Sequence, residues 1–404
     1  MNVLMISPGF PKEMKFFTRG LAATGATVIG LGDQAQDKLP EMAAQALSAH
    51  LHVSFGDDDA IVAKVADFAA RVPIHRVECL WEPYMILAAR IRERLGLPGL
   101  TVQQTVPYRD KEVMKRVLDA AGIRTPHHYS ATTSAGVIEA AETIGYPVIV
   151  KPIDGAGSES TYKVTSRDQL DAVLPALRSI TEVSVEEFVE GDDMTFDTLC
   201  VNGEVQHYSI ATYIPRALFM KENEWVSPIT LVIGDPDTPD LAEGKKMGFQ
   251  VLEALGFQTG YTHMEWYRTP AGEAIFGEIG ARPPGAGLVD LINYASDIDT
   301  YSGWAECVVH GRFSQPVERR YSAAWIYKRA RGHGRIRRYE GLESILTEFG
   351  SHIVDIDLNP IGSPRRDWRS VLVGDGLVVV RHPDLATTRR MAEHVAAHLH
   401  IVAG

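Results

Sequence analysis

The chain has 404 residues, of which 45% are hydrophobic and 23% charged, and 40 basic against 52 acidic residues give a formal net charge of −12. This composition is typical of a folded globular protein and excludes a largely disordered, collagen-like or coiled-coil chain. The acidic balance argues against a dedicated nucleic-acid-binding protein, and the length predicts two or three domains.

Cysteine use and hydropathy indicate the compartment. Cys79, Cys200 and Cys307 are too far apart in sequence for a CxxC motif and too few for a disulfide-stapled secreted protein. The first residues lack the pattern of a signal peptide, and no apolar run approaches the roughly 18 residues of a membrane span. We therefore expect a cytoplasmic protein that does not associate with a membrane.

The first hundred residues alternate short apolar runs with helical patterns. Strands are predicted at 3–6, 27–31 and 77–80, and helices at 12–23 and 85–95. Strands that alternate with helices in this way predict βαβ units and a parallel sheet, whose binding sites lie at the carboxyl ends of strands. The turn at 7–10 and Glu82, just after the strand at 77–80, are therefore candidate substrate contacts, although a plain helix start is the favoured explanation of both.

From residue 110 the pattern changes to a helix followed by segments rich in strand character. The helix is predicted over 111–121, the strand-rich segments over 146–152, 184–207 and 260–282, and a second helix over 235–255. Beyond about residue 320, short strands precede a final helix near 388–400. We predict domains at 1–105, 106–315 and 316–404.

The most informative segment, 261–282, has two strand-like runs around a Pro/Gly turn, as in a β-hairpin. A turn centred near Ala271 places Glu265 opposite Glu278 within one residue of register. Like charges that face each other destabilise a sheet, so the pair indicates a bound cation such as Mg²⁺ shared with nucleotide phosphates. Alternation puts Arg282 on the face of Glu278, within reach of the same phosphates; an ordinary hairpin with solvated charges is the alternative.

Two weaker motifs precede this hairpin. Lys151 ends an apolar strand and is followed by a small-residue loop that contains Gly157 and Ser158, and such a loop can bind phosphate through its backbone N–H groups. The run 185–193 can supply backbone contacts to adenine and an acidic side chain to ribose. A surface turn explains each motif alone, but their order along one chain is a stronger signal.

The full order of motifs resembles the ATP-grasp ligase superfamily over roughly residues 106–310. The motifs are Asp110-Lys111, Lys151 with its glycine loop, 186–189, and Glu265…Glu278…Arg282. The region before them resembles the N-terminal domain usual in that family. The resemblance implies an α/β and α+β fold: an N-terminal parallel-sheet βαβ domain, a core of two subdomains with the nucleotide between them, and a small mixed C-terminal region that packs on the core.

The resemblance also implies roles for single residues. The residues implied to bind ATP are Lys111, Lys151, Gly157, Ser158, Glu186, Glu187, Phe188, Val189 and Asp193. Among them, Glu186 would meet the adenine amino group, and Asp193 stands where the family usually has a ribose-binding glutamate. Glu265 and Glu278 would hold Mg²⁺ or Mn²⁺, and Arg282, with Lys151, would be catalytic. Gly280 departs from the family pattern, which often has a metal-binding asparagine there.

The implied chemistry is a two-step ligation, in which ATP phosphorylates a carboxylate and an amine then displaces phosphate to form an amide. The run that begins at Arg282, Arg-Pro-Pro-Gly, is more similar to amino-acid or dipeptide ligases than to biotin-carboxylase-type relatives. We expect a small-molecule carboxylate and amine as partners, with neither nucleic acid nor membrane, and a homodimer is compatible with the sequence. A non-catalytic ATP sensor and an ATP-grasp kinase or carboxylase are the alternatives.

Three further groups stay open. The basic segment 328–338 could screen phosphates or bind an anionic substrate, or it could be a solvated surface. His394 and His398 have the spacing of metal ligands on one helix face, but an ordinary surface helix is favoured. His263 lies on the face of Glu265 and is either a substrate contact or a packed core histidine.

Overall fold

A computed structural model of the protein describes residues 1–153, 161–371 and 374–404. The strands within these ranges form four sheets. In the same ranges, no helix has both the length and the apolar character that crossing a bilayer requires. The predicted phosphate contacts Gly157 and Ser158 lie outside the described residues.

The N-terminal sheet is parallel and consists of β1 (Asn2–Ile6), β2 (Thr27–Gly32), β3 (Ala49–His52) and β4 (Arg76–Cys79). The order of these strands in the sheet is β3-β2-β1-β4. The helices of this part are α1 (Met14–Ala23), α2 (Glu41–Ala46), α3 (Asp58–Ala69), α4 (Met85–Leu95) and α5 (Val102–Thr105). Alternate residues of β1 belong to two apolar clusters, one on each face of the sheet, as expected of a parallel sheet that is covered on both sides. The predicted parallel βαβ architecture is confirmed.

The second sheet is antiparallel and consists of β5 (His128–Ala131), β6 (Val148–Pro152), β7 (Tyr162–Val164) and β8 (Val183–Glu187). The order of these strands in the sheet is β5-β8-β6-β7. The helices of this part are α6 (Lys111–Ala120), α7 (Ser134–Ile144) and α8 (Arg167–Val173). Valines of β6 and β8 pack with residues of α7 and α8 in an apolar cluster of their own. This part is therefore a small subdomain with a separate core.

The third sheet begins with five antiparallel strands in the order β13-β12-β9-β10-β11. Its strands are β9 (Asp192–Val201), β10 (Glu204–Ile214), β11 (Ile229–Val232), β12 (Gly260–Arg268) and β13 (Ala274–Gly280), and the helices are α9 (Ala217–Glu222), α10 (Ala242–Ala254), α11 (Leu288–Ser296) and α12 (Thr300–His310). The hairpin β12–β13 forms one edge of this sheet, so its paired acids lie at the edge as well.

The C-terminal part extends this same sheet. Its elements are β14 (Ser322–Lys328), β15 (Arg331–Gly332), β16 (Ile336–Glu340), α13 (Leu342–Phe349), β17 (Ile353–Leu358), β18 (Gly376–His382), α14 (Leu385–His398) and β19 (His400–Ala403). The strands β14, β18 and β17 follow β11 to complete eight strands, while β15, β19 and β16 form the fourth, small sheet. The mixed α/β and α+β class is confirmed, and the domain limits stay a prediction.

The helix α10 approaches the third sheet closely at two glycines one turn apart. A methyl group on Gly244 would lie 2.1 Å from the ring of Trp266, and one on Gly248 would lie 2.5 Å from the ring of Phe196. Both rings are buried, and Trp266 follows the predicted metal ligand Glu265 in β12. The glycines therefore let the helix support the strand that carries this acid.

We expect Gly244→Ala to lower the free energy of unfolding by about 1–3 kcal/mol, because a methyl group forced into a packed core has a cost of this size. Urea denaturation measures the change. Gly136→Ala in α7 is the matched control, since its new methyl group would meet no atom closer than 3.3 Å and alanine is the better helix former. Equal stability of Gly244→Ala and the wild type would contradict the close packing.

Candidate active site

A cleft lies between the second sheet and the edge of the third. The space inside it, counted out to the open solvent at its mouth, is about 1020 Å³. The predicted ATP and metal residues that line it are Lys111, Lys151, Glu186, Glu187, Phe188, Val189, Asp193, Glu265 and Glu278. The fold thus brings together motifs that lie far apart in the sequence.

Glu265 and Glu278 face each other across the hairpin β12–β13. They are direct partners in the antiparallel register, and a bulge follows between Glu265 and Trp266. Gly277 is the extra residue of the bulge, and a Cβ atom there would lie only 2.8 Å from the carbonyl oxygen of Glu265. Glycine at this position therefore lets the two strands keep the register that pairs the acids.

Glu265 lies at the end of a buried charged chain. The Nδ1 atom of His263 lies 2.6 Å from Asp197 Oδ1, and its Nε2 atom lies 3.6 Å from Glu265 Oε1. Burial alone would lower the pKa of His263, but Asp197 and Glu265 outweigh it and raise that pKa to about 9. Burial likewise favours the neutral acid at Glu265, but His263, Arg282 and Lys151 hold its pKa below the usual range. Glu265 is therefore ionised at neutral pH and suited to a cation.

Lys151 is held in place by a buried acid. Its Nζ atom lies 2.8 Å from one carboxylate oxygen of Glu186, and Lys115 engages the other oxygen. Burial favours the neutral acid, but the two ammonium groups outweigh it and hold the pKa of Glu186 well below its usual range. Lys115 belongs to none of the sequence motifs, and its available signal was its position four residues after Lys111, between the buried Met114 and Leu118. An adenine contact by Glu186 stays a prediction, since both of its oxygens are engaged.

Glu186→Gln is expected to lower the free energy of unfolding at neutral pH by about 3–5 kcal/mol, because breaking a buried ion pair leaves uncompensated charge. Glu187→Gln is the control: that neighbour pairs with Arg124 where both side chains are about 30% exposed, and partly exposed pairs contribute about 0–1 kcal/mol. Urea denaturation of both variants and the wild type measures the difference.

The same measurement has a defined pH dependence. Because the folded protein lowers the pKa of Glu186 from its ordinary value of 4.5, the stabilisation is complete above that value and is lost as the pH falls below it. The difference in the free energy of unfolding between the wild type and Glu186→Gln should therefore become smaller in acid. A difference that grows below pH 4.5 would contradict this assignment.

Lys111 reaches the cleft from the first turn of α6. Asp110 caps this helix by accepting hydrogen bonds from the backbone N–H groups of Glu112 and Val113, at 3.0 and 2.9 Å. The Nζ atom of Lys111 lies 3.7 Å from Oε2 of Glu278. The cap therefore directs the lysine to the second acid of the hairpin, where both can meet a phosphate and its metal ion.

Asp193 lines the cleft, but its carboxylate already has partners. It accepts hydrogen bonds from Arg216 Nε and from the backbone N–H of Ala217, both at 2.8 Å. Arg216 also donates to the carbonyl of Val189 at 2.8 Å and lies over the ring of Phe188 at 5.0 Å. Arg216 belongs to no motif and was not predictable from the sequence. A ribose contact by Asp193 stays a prediction and requires the hydroxyl groups to share the carboxylate with Arg216.

Arg282 lies in a smaller cavity that shares Lys111 and Glu278 with the cleft. Its Nε atom donates to Glu82 Oε2 at 2.9 Å, and Arg109 engages the other oxygen of Glu82. Glu82 begins the 3₁₀ turn Glu82–Tyr84, as the sequence favours, and it also forms part of this cavity. A Cβ atom on Gly280 would lie 3.2 Å from Arg282 Cγ, so the glycine gives the arginine room.

The histidine pair of the last helix lies away from this site. The rings of His394 and His398 stack at 4.1 Å, and His398 Nδ1 lies 2.9 Å from the carbonyl oxygen of His394. Within the described ranges, no group of three or more His, Cys, Asp or Glu side chains could hold a metal ion. The two acids of the hairpin would therefore need phosphate oxygens to complete a Mg²⁺ site, as is common for this ion.

The sequence matches two family models: the ATP-grasp N-terminal domain over residues 22–99 and the ATP-grasp domain over residues 108–218. It is 26% identical over 237 residues to an L-arginine-specific L-amino acid ligase of Bacillus subtilis, covering 57% of this chain and 56% of the relative. It is 37% identical over 110 residues to D-alanine–D-alanine ligase A of Clostridium perfringens, covering 26% and 36%. The chain thus spans about half, or less, of the curated relatives it matches.

Solved structures resemble the whole chain. The L-amino acid ligase from Bacillus licheniformis has a TM-score of 0.79 at 20% identity, covering 100% of this chain and 98% of that one. The N5-carboxyaminoimidazole ribonucleotide synthetase from Thermotoga maritima has a TM-score of 0.71 at 17% identity, covering 100% and 99%. At these identities the likeness shows the fold, and the two consecutive family models agree with it. Residues 22–99 and 108–218 of this chain are thus ATP-grasp domains.

Proposed function

We propose that the protein is an ATP-dependent ligase that activates a carboxylate as an acyl phosphate and joins it to an amine, with release of ADP and phosphate. The observation that carries this proposal is the pairing of Glu265 with Glu278 beside Lys111. These two carboxylates would hold Mg²⁺, or Mn²⁺ in its place, and a bound ion would neutralise charge on the transferred phosphoryl group.

Lys111 and Lys151 supply further positive charge for the phosphates of ATP. Phosphoryl transfer depends on positioning and on charge neutralisation more than on covalent chemistry, so a lysine that is fixed in place is an advantage. Glu186 holds Lys151 through a 2.8 Å ion pair inside the protein. We therefore assign Glu186 the role of a positioning residue for Lys151.

The smaller cavity is the proposed place of the carboxylate substrate. Arg282 and Arg109 present guanidinium groups there, which suit carboxylates, and the shared wall of Lys111 and Glu278 sets the cavity next to the nucleotide cleft. Glu82 comes from the proposed N-terminal domain, 1–105, and pairs with Arg282 of the proposed core, 106–315. A substrate carboxylate that takes Arg282 would leave Glu82 available for an ammonium group, so the charges of this cavity match those of an amino-acid-like substrate.

The proposed reaction has two balanced steps. A carboxylate oxygen attacks the γ-phosphorus of ATP, the bond to the β,γ-bridging oxygen breaks, and ADP leaves. The amine nitrogen then attacks the carbonyl carbon, phosphate departs with the former carboxylate oxygen, and the nitrogen loses a proton. Arg282 stabilises the oxyanion of the second step, while exclusion of water protects the acyl phosphate from hydrolysis.

A mass-spectrometric screen tests this function. The protein is incubated with ATP, Mg²⁺ and pooled amino acids, and both ADP and new amide masses are recorded. We expect equal amounts of ADP and amide, with both absent when the amino acids are omitted. A phosphorylated product formed without an amine would indicate a kinase, turnover that depends on bicarbonate would indicate a carboxylase, and ATP binding without any turnover would indicate a sensor.

A further inference from the structure

A second cavity, of about 410 Å³, lies beside the start of the basic segment 328–338. It shares no lining residue with the proposed nucleotide cleft. Its charged and aromatic wall consists of Glu224, Trp225, Lys328, Arg329, Arg331 and His400. The basic segment therefore contributes to a concave site as well as to a solvated surface.

Within the described residues the three cations of this wall form no ion pairs with acids, although the nearby carboxylate of Glu224 opposes the lowering of the pKa of Arg329 by burial. Lys328 and Arg329 are only 2% and 7% exposed, whereas Arg331 is exposed at the surface. In the described part of the chain no carboxylate forms an ion pair with any of the three, and Glu224, the acid of the wall, pairs with Arg365 instead. Buried charges are normally paired, so this group of cations calls for an anion.

The hydrogen bonds of Arg329 leave donor capacity unused. Lys328 differs, because it donates to Ser227 Oγ and the carbonyl of Ala396, both at 2.7 Å, and to the carbonyl of Val395 at 3.4 Å, so it offers only its charge. Arg329 donates through one terminal nitrogen to two backbone carbonyls, but its buried Nε atom has no hydrogen-bond partner among the described residues. A buried donor without a partner is destabilising, and an anion in the cavity would supply the missing partner.

The electrostatics point the same way. Burial, and after it the charge of Arg331, lowers the pKa of Lys328 to about 7. The positive charge of Arg331 thus repels that of Lys328, while Glu224 acts on Arg329. An anion placed among the three cations would be attracted, and it would restore the full charge of the lysine.

We propose that this cavity binds a phosphate group, either free or carried by a small organic molecule. Guanidinium groups match the geometry of phosphate oxygens, and Arg329 and Arg331 supply two of them beside the charge of Lys328. Trp225, 73% exposed at the rim, offers an apolar surface to the rest of such a molecule. This inference is independent of the proposed ligase activity.

Binding of radiolabelled inorganic phosphate and of ribose 5-phosphate tests this site, by equilibrium dialysis and titration calorimetry respectively. Mg²⁺ and a non-hydrolysable ATP analogue are present throughout to fill the cleft. The wild type should bind at least one of the two ligands, and Arg331→Gln should weaken that binding about tenfold or more, because a charge-assisted hydrogen bond contributes about 1.5–3 kcal/mol. Arg331 is exposed, so the variant should keep its fold, which circular dichroism checks.

Arg338→Gln is the matched control, since Arg338 is an exposed arginine of the same segment that pairs with Glu340, and it should bind as the wild type does. Tighter binding of inorganic phosphate would identify a site for the free ion, and tighter binding of ribose 5-phosphate a site for a phosphorylated molecule. The proposal fails if the wild type binds neither at about 10 mM, which is weaker than the usual range of specific binding. Unphosphorylated ribose is titrated as well, and the proposal also fails if ribose binds as tightly as ribose 5-phosphate. The same holds if Arg338→Gln weakens binding as much as Arg331→Gln does.

Discussion

Arg282→Ala is expected to reduce the rate of ligation by about 10²–10³, the usual effect of removing a group that stabilises an oxyanion. The affinity for ATP should stay within about threefold of the wild type, because Arg282 lies in the smaller cavity and does not line the cleft. One positive charge is thus lost where the tetrahedral intermediate forms, while the contacts to phosphate remain.

Release of ADP in the presence of the substrates measures the rate, and calorimetry with a non-hydrolysable ATP analogue measures the affinity. Arg268→Ala is the matched control, because Arg268 lies in the hairpin that precedes Arg282 but pairs with Asp192 and Asp240 outside both cavities. The control should retain its activity. If Arg282→Ala abolished nucleotide binding, the assigned role would be wrong.

Glu278→Gln is expected to raise the Mg²⁺ concentration needed for half-maximal nucleotide binding by about tenfold or more. The substitution removes one of the two charged ligands of the proposed ion, and Mg²⁺ sites in nucleotide enzymes rely on only one or two carboxylates. The change also removes the partner that Lys111 contacts at 3.7 Å. A shift in the dependence on Mg²⁺, rather than in protein stability, is the signature of a metal ligand.

The matched control is Glu273→Gln, in the turn of the same hairpin, where the acid is about half exposed and contacts Arg124 at 3.9 Å. Titration of Mg²⁺ at a fixed nucleotide concentration compares the two variants with the wild type. Equal dependence on Mg²⁺ in all three proteins would remove the main support for the metal site. Loss of folding in Glu278→Gln, which circular dichroism detects, would call for Glu265→Gln in its place.

The hairpin shows how far local sequence rules reach. Alternation along the strands and the position of the turn sufficed to pair Glu265 with Glu278 within one residue. The difference of one residue between the predicted and the observed register comes from the bulge at Gly277. A glycine in the sequence does not by itself show that the strand bulges there. The parallel βαβ region and the helix that begins at Lys111 were predictable for similar reasons, because apolar spacing and a capping residue are local signals.

The ion pairs of the site were not predictable, because each forms between residues from different parts of the fold. Glu82 and Arg282 are 200 residues apart and meet at 2.9 Å, and Asp193 meets Arg216 only because the chain returns along β10. Strand order is a tertiary property of the same kind. Nothing local in β14 and β18 shows that they continue the sheet that carries the proposed metal ligands.

Transfer of ¹⁸O from substrate to phosphate tests the central claim most directly. Amino acids labelled with ¹⁸O in both carboxylate oxygens are incubated with the protein, ATP and Mg²⁺, and the phosphate and amide are analysed by mass spectrometry. An acyl phosphate pathway predicts one ¹⁸O atom in each phosphate and one in each new amide. Formation of ADP with unlabelled phosphate would contradict the account, because the phosphoryl group would then have gone to water and not to a carboxylate.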